Sequence, residues 1–340
     1  MTQISRRSLG LGAAGAVAAT GLSAPAIAQQ ARSYVLTTAT TGGTYYPVGV
    51  ALATLAKVRL QASHGLDMSA ISSAGSTENV KLLRENQAQF AILQGLVAMF
   101  AAQGTGPFTE DGAQDNLRGL LPLWFNFDQF VIDRRFATTG HIDDLKNLYG
   151  QRYSMGARGS GLETMHLWLF PNLGIDHERF IRVYLGYGPS AEGLQNGTVQ
   201  GANFEAGLPT GSLTQAMAAA GQRLSFLEFN EEETARANGG GTLLTRDRVP
   251  GGTYPNLPDD KWTIKLPNYF ACNANVPEED VYLVVKTIFE NLPFLNNIHA
   301  ATREISLEGS VGAAPFVLHP GAIRYYRERG LTVPASLIPA

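Results

Sequence analysis

The sequence predicts a two-lobed α/β protein, on three observations. From residue 34 onward, hydrophobic strand segments alternate with helical ones, the order of a parallel sheet. Three of the strand-to-helix junctions share one composition, glycine mixed with hydroxyl residues. The chain has 340 residues, and roughly 310 of them follow an N-terminal leader, a length for two domains or lobes.

Residues 1–28 read as an export leader. Arg6 and Arg7 give a positive start, 9–22 is uncharged and rich in Ala and Gly, and Ala26-Ile27-Ala28 is a small-x-small cleavage site. Ser5-Arg6-Arg7-Ser8-Leu9 looks like a twin-arginine export signal. The apolar run falls short of the ~20 residues that a membrane span needs, so cleavage near Ala28 and export to the periplasm are expected, with an uncleaved anchor as the alternative. A monomer is expected. Losing the two leader arginines takes the formal net charge from −3 to −5. That balance gives no reason to expect nucleic acid or an anionic membrane surface as partner. An apolar content of 44% suits ordinary globular cores. The single cysteine, Cys272, rules out an internal disulfide. Its setting in Asn268-Tyr269-Phe270-Ala271-Cys272 reads as a small core residue on a buried strand.

The first strand, Tyr34-Val35-Leu36-Thr37-Thr38, leads into the turn Thr41-Gly42-Gly43-Thr44-Tyr45-Tyr46-Pro47. A helix over 47–60 follows, with Pro47 in its first turn and Ala51, Leu52, Leu55, Ala56 and Val58 on its buried side. The second strand, Met68-Ser69-Ala70-Ile71-Ser72, leads into Ser73-Ala74-Gly75-Ser76-Thr77-Glu78-Asn79 and a helix at 80–84. A short apolar strand at 90–93 ends at Gln94-Gly95, before a helix over 96–102. After a polar loop at 104–116, strands are predicted at 117–123 and 127–132, and Asp143-Asp144-Leu145 opens a short helix. The third junction runs from Tyr153-Ser154-Met155-Gly156 through Ala157-Arg158-Gly159-Ser160-Gly161 into a helix over 162–169, stopped by Pro171 and Gly174. A strand at 180–185, a helix at 189–194, a strand at 199–204 and a helix at 212–220 complete a second α/β unit. Glu231-Glu232-Glu233 begins a charged, solvated segment, and 251–260 is a turn-rich loop. Residues 280–291 form a helix with Val281, Val284, Val285 and Ile288 at helical spacing.

The three junctions point to chemistry. A helix N-terminus offers unpaired N–H groups and partial positive charge, so it attracts anions. Glycine lets a ligand approach the backbone, and hydroxyls add donors. Three such turns suggest a cleft that grips a small organic anion. The six histidines are scattered without metal-ligand spacing, and after the leader no nucleophile elbow, Walker lysine or Gly-x-Gly-x-x-Gly fingerprint is present. No metal and no cofactor are expected. His166, inside a helix beside Trp168, reads as a packed histidine. Donors without a nucleophile–base pair suit recognition better than catalysis.

Backbone N–H groups and hydroxyls of Gly43, Thr44, Tyr45, Gly75, Ser76, Ser160 and Gly161 are expected to hold the anion. Asn79, Gln94, Trp124, Arg158 and Glu205 are candidates for selectivity, and Ser73, Gly159 and Gly207 complete the predicted lining. Several have a second reading. Ser160 with Glu163 also fits a capping box. Tyr45 is either core or pocket. Arg158 either pairs with the carboxylate or sits exposed on its loop. Glu205 either holds an ammonium group or pairs with Arg158.

With these residues in hand, the chain resembles the TAXI family, the extracytoplasmic solute receptors of tripartite ATP-independent periplasmic (TRAP) transporters. The matching stretches are Thr41-Gly42-Gly43-Thr44-Tyr45-Tyr46-Pro47-Val48-Gly49; Ala74-Gly75-Ser76-Thr77-Glu78-Asn79-Val80; Ile142-Asp143-Asp144-Leu145-Lys146; Gly159-Ser160-Gly161; and His319-Pro320-Gly321-Ala322-Ile323-Arg324-Tyr325-Tyr326-Arg327-Glu328-Arg329-Gly330. The first and last together are specific. The resemblance implies a periplasmic-binding-protein fold, type II-like, with a ligand cleft between its lobes. Lobe 1 would be 32–124 with 234–340, and lobe 2 would be 125–233. It further implies a small carboxylate ligand (an amino acid, keto acid or dicarboxylate), TRAP membrane subunits as partners, and no enzymatic activity. The chain departs from the family pattern at Gln200-Gly201, at Gln94-Gly95 and at Asn147; the first two lie near the predicted cleft. The alternatives are a periplasmic enzyme on the same scaffold, and a receptor for an ABC transporter or a sensor kinase.

Overall fold

The structure is a computed structural model that describes residues 31–312 and 314–339; the leader predicted at 1–28 lies outside them. Strand β1 (Arg32–Thr37) runs into helix α1 (Tyr45–His64), β2 (Leu66–Ile71) into α2 (Ser76–Arg84), and β3 (Phe90–Gln94) into α3 (Gly95–Gln103). β1 pairs in parallel with both β2 and β3. Phe90 and Ile92 on β3 pack with Leu36, Phe270 and Tyr326 on one side of the sheet. Ala91 and Leu93 pack with Val97 and Ala271 on the other. A strand covered on both faces has no solvent-facing position, which is why 90–93 reads as an unbroken apolar run. Each such large side chain withdrawn from water contributes roughly 1.5–3 kcal/mol.

The chain continues through β4 (Leu117–Phe127), β5 (Phe130–Asp133), β6 (Arg152–Ser154), α4 (Gly161–Asn172), β7 (Ile181–Val183), α5 (Tyr187–Asn196), β8 (Gly201–Asn203), α6 (Gly211–Ala220), β9 (Leu224–Phe226) and α7 (Glu231–Ala237). It returns through β10 (Thr245–Val249) and β11 (Lys261–Asn273), and ends in α8 (Glu278–Glu290), α9 (Leu292–Ile298) and α10 (Pro320–Glu328). One sheet has the order β10-β11-β3-β1-β2, with β4 also paired to β11. The other has the order β7-β6-β8-β5-β9. Both hold the same core, three parallel strands in the order β2-β1-β3 or β7-β6-β8, closed on the third by an antiparallel strand, β11 or β5. Parallel strands end on one edge, so the turns after β1, β2 and β3 gather there, and those after β6, β7 and β8 do the same.

Several boundaries differ from the sequence reading. The break expected between 123 and 127 falls at Asp128-Gln129 instead, so Trp124, Phe125 and Asn126 lie within β4. β11 is far longer than the five residues predicted. It tolerates Pro267 because the pairing with β4 shifts register between Pro267 and Tyr269, where no ladder N–H is needed. β9 and β10 were not predicted: β9 is only three residues, and Thr245-Arg246-Asp247-Arg248-Val249 is a polar edge strand paired only to β11. α1 begins at Tyr45 and ends where Gly65, with φ 64°, turns left-handed and donates to Leu60 O and Gln61 O. Cys272 is buried in the core, as read, and burial pushes its thiol up.

The C-terminal motif that carried the resemblance is a packing device. His319 caps α10, its Nδ1 accepting from Gly321 N at 3.2 Å, while its Nε2 meets Val276 O at 3.0 Å. A Cβ on Gly321 would lie 2.2 Å from Glu278 O, so glycine is what lets α10 seat on the start of α8. Among the described residues, no helix is long and apolar enough to cross a membrane.

Candidate ligand site

Four helices, α1, α2, α4 and α5, begin at one small cavity, and Gln94 reaches it from the end of β3. First-turn N–H groups have no partner within their own helix, so each start brings donors and partial positive charge. Gly75 precedes α2 with φ 135°, a conformation that L side chains rarely adopt, and no side chain caps that helix. Ser160 precedes α4, and its Oγ accepts from Glu163 N at 3.0 Å while Gly159 N donates to Glu163 Oε2 at 2.7 Å. The cap read from Ser160 and Glu163 is thus present, with the glutamate reaching one residue further back than in a capping box.

The turns of the two sheets touch directly. Glu78 N donates to Gly159 O at 2.9 Å, Thr44 Oγ1 to Gly207 O at 3.1 Å, and Ser212 N to Gly42 O at 3.3 Å. The hydroxyls of Thr77 and Thr164 lie 2.9 Å apart. Gly43 sits under the ring of Tyr187, where a Cβ would come within 2.7 Å of the ring carbons. The cavity left between them is about 40 Å³. At about 10–15 Å³ per water centre, that holds a group the size of a few waters, so a larger solute requires the turns to move apart.

One end of the cavity is a buried polar network. Glu205, 4% exposed, accepts from Gln94 Nε2 at 2.7 and 2.6 Å on its two oxygens, and from Asn126 Nδ2 at 3.2 Å. Asn126 Oδ1 accepts from Trp124 Nε1 at 3.1 Å and from Asn268 Nδ2 at 2.8 Å. Tyr45 OH donates to Asn268 Oδ1, and Tyr187 OH donates to Glu205 O at 2.5 Å. Burial pushes the Glu205 carboxyl up to about 7, against the pull of the Gln94 and Asn126 hydrogen bonds. Asp128, buried nearby, is held well above the usual carboxylate range by burial and by the Glu205 charge. Among the described residues that line the cavity, none is Lys, Arg or His.

Gly43, Thr44, Tyr45, Gly75, Ser76, Gln94, Ser160, Gly161 and Glu205 are brought together here. The other predicted residues are not. Asn79 is spent on structure: its Nδ2 donates to Thr38 O at 2.7 Å and Ile92 O at 2.9 Å, and its Oδ1 accepts from Thr37 and Ser73 hydroxyls, each at 2.7 Å. Ser73 belongs to that same clamp. Trp124 is buried edge-on against Tyr45, and Gly207 lies beneath the indole, serving the site through its carbonyl. Gly159 supplies its N–H to Glu163. Arg158 corrects the expectation of an ion pair: its side chain is 72% exposed, its guanidinium lies 3.6 Å over the Tyr184 ring, and Glu163 is 3.8 Å away. It is an exposed loop arginine, and no Arg158–Glu205 pair forms, because Glu205 is enclosed by amides.

His166 is packed, as read. Tyr153 OH and Met155 O sit 3.3 and 3.2 Å from its two nitrogens, and burial pushes it down to about 3. Asn126 and Tyr187 were missed. Asn126 fell at the misplaced strand break. Leu185-Gly186-Tyr187-Gly188-Pro189 is a fourth glycine turn after a strand, the same signal used for the other three.

Two sheets of like topology, whose strand-end turns enclose one cavity, define a class: this is the fold of periplasmic solute-binding proteins. The chain belongs to the NMT1-like family, whose model matches residues 36–330. Among solved structures, it is similar to the binding component of an ABC phosphonate transporter from Pseudomonas aeruginosa, at 9% identity and a TM-score of 0.53, over 80% of this chain and 79% of that one. It is also similar to the zinc-bound ligand-binding component of an ABC-type import system from Staphylococcus aureus, at 10% identity and a TM-score of 0.47, over 81% and 80%. The alkanesulfonate-binding protein SsuA from Xanthomonas axonopodis pv. citri, bound to MOPS, matches at 13% identity and a TM-score of 0.43, over 87% and 83%.

Proposed function

We propose that the mature chain is an exported, monomeric receptor that closes two lobes on a small carboxylate and hands it to the membrane subunits of a TRAP transporter. One observation carries the reading: the starts of four helices, with Thr44, Ser76 and Ser160 hydroxyls nearby, converge on one cavity between the two sheets. Such an arrangement binds a carboxylate without a side-chain cation. The lobes would divide as 32–124 with 234–340 and 125–233, so that β4 and β11 carry the hinge and closure buries the solute. The TRAP assignment is supported by the motifs at 41–49 and 319–330 alone.

A receptor is favoured over an enzyme because, of the two candidate bases, His166 is packed away from the cavity and Glu205, which lines it, is held by the amides of Gln94 and Asn126 rather than paired with a nucleophile; Ser160 Oγ is spent on capping α4. Delivery to an ABC importer is the second reading, favoured by the systems that the similar solved structures serve. A thermal-shift screen of the refolded mature protein against amino acids, keto acids and dicarboxylates tests the receptor, since a ligand of the native state raises Tm. Uptake into proteoliposomes then separates the two couplings. Uptake driven by an ion gradient with TRAP subunits supports the first reading, and uptake that requires ATP sinks it.

A further inference from the structure

Glu205 and Gln94 leave one end of the cavity asking for a donor. Gln94 is 1% exposed, and its Oε1 has no hydrogen-bond partner among the described residues. A buried acceptor left unmade costs more than a typical hydrogen bond returns. The amide cannot satisfy itself by flipping, because that would set Oε1 against the Glu205 carboxylate, where Nε2 now donates at 2.7 and 2.6 Å. Glu205 has the complementary problem. Its neighbours in the cavity are amides, the Tyr45 and Tyr187 hydroxyls and, behind it, Asp128; none of the lining side chains is cationic. A buried carboxylate needs a cation or a proton. The helix starts serve the other end of the same cavity. An anion-reading end and a donor-reading end therefore share one small enclosure.

Building on the carboxylate-receptor reading, we infer that Glu205 and Gln94 form an ammonium subsite, so that the solute is a carboxylate bearing a primary ammonium group, of the α-amino acid class. A 2-oxo acid presents a carbonyl acceptor there, opposite two acceptors. A dicarboxylate brings a second negative charge to Glu205. Both are rejected by the mismatch itself. The ammonium donates to the Glu205 carboxylate and to Gln94 Oε1, which gives the orphaned acceptor its partner and Glu205 its counter-charge. Asn126 is a positioning residue: its Nδ2 holds the carboxylate while Trp124 and Asn268 hold Asn126.

The test is isothermal titration calorimetry on the mature protein, refolded from denaturant to strip any retained solute. The probes are matched sets: L-alanine with pyruvate, L-serine with hydroxypyruvate, L-glutamate with 2-oxoglutarate, L-leucine with 4-methyl-2-oxopentanoate, plus succinate and glutarate. The expected result is that at least one amino acid binds, about a hundredfold or more tighter than its 2-oxo counterpart, because a site built around a donor discriminates strongly against an analogue lacking it. Glu205→Gln and, separately, Gln94→Leu are each expected to weaken that amino acid at least about tenfold and to narrow the gap to the 2-oxo acid. Melting curves of both variants establish that they fold. If a 2-oxo acid or dicarboxylate binds as tightly as the amino acid, or if Glu205→Gln leaves the discrimination intact, the ammonium subsite is wrong while the carboxylate receptor stands. If nothing in the set binds the refolded protein, the carboxylate reading falls, and the subsite with it.

Discussion

Replacing Glu205 by glutamine should make the solute-free protein more stable at alkaline pH. In the wild type the carboxyl is raised from 4.5 to about 7 by burial. Between those two values the native state holds a proton that the unfolded chain has released. Stability from this group is therefore greatest at acid pH, falls as pH rises through the window, and levels off above about 7. At about 1.4 kcal/mol per pH unit, the fall is about 3 kcal/mol. Glu205→Gln keeps the shape and the amide network but has nothing to ionise. Asp128, Tyr45 and Tyr187, which face Glu205, are present in both proteins, so the difference between the two stability curves reports the removed charge. Urea unfolding at several pH values between 5 and 8 measures it. The variant should gain on the wild type by roughly 2–3 kcal/mol from pH 5 to pH 8. Parallel curves across that range would show that folding does not raise the Glu205 carboxyl, and so that it does not sit in the dry setting described here.

Gly43→Ala puts a Cβ within 2.7 Å of the Tyr187 ring. The clash belongs to the arrangement in which these turns touch, which the proposed closure reaches on binding, so at about 1–3 kcal/mol of overpacking calorimetry should show roughly five- to hundredfold weaker solute binding. An unaltered Kd would mean that these turns do not approach on binding. Asn79→Ala leaves the Thr38 and Ile92 carbonyls and the Thr37 and Ser73 hydroxyls without their partner, a loss of about 2–4 kcal/mol by urea titration; a loss under about 1 kcal/mol contradicts a structural clamp. Arg158→Ala should move stability by less than about 0.5 kcal/mol and leave solute affinity unchanged, because the side chain is 72% exposed. A tenfold drop in affinity on that substitution restores Arg158 to the site.

The parallel cores were legible because β3 is covered on both faces and because glycine-hydroxyl turns stand directly after β1, β2 and β6. Strands that run from polar to buried ground were not. β11 begins with lysines at 261 and 265 and breaks its own pattern with Pro267, so only its fully buried end, from Asn268 onward, reads as a strand. The site divided along the same line. Residues whose contribution is local, such as the Gly75 turn and the Ser160 cap, could be read from spacing. Residues whose role depends on a partner far along the chain could not. Asn79 looked like a pocket residue beside Ser76, yet its partners reach back to Thr37 and Thr38 and forward to Ile92. Arg158 looked like the anion's partner because it is the only cation in the three turns. The fold turns it onto Tyr184, and the cavity lining is left with helix starts and no side-chain cation among the described residues.

A cavity without a cationic side chain must also cope with its surroundings. Chloride, phosphate and sulfate are small, abundant and suited to helix starts, and a lysine or arginine in the cleft would collect them. Here, among the described residues that line the cavity, Glu205 is the only carboxylate and none is cationic. On the proposed reading, the Glu205 carboxylate would repel free inorganic anions until a solute brings its own positive group, and capture of the solute is expected to stay nearly constant across ionic strengths that strip ligands from a site built on surface charge.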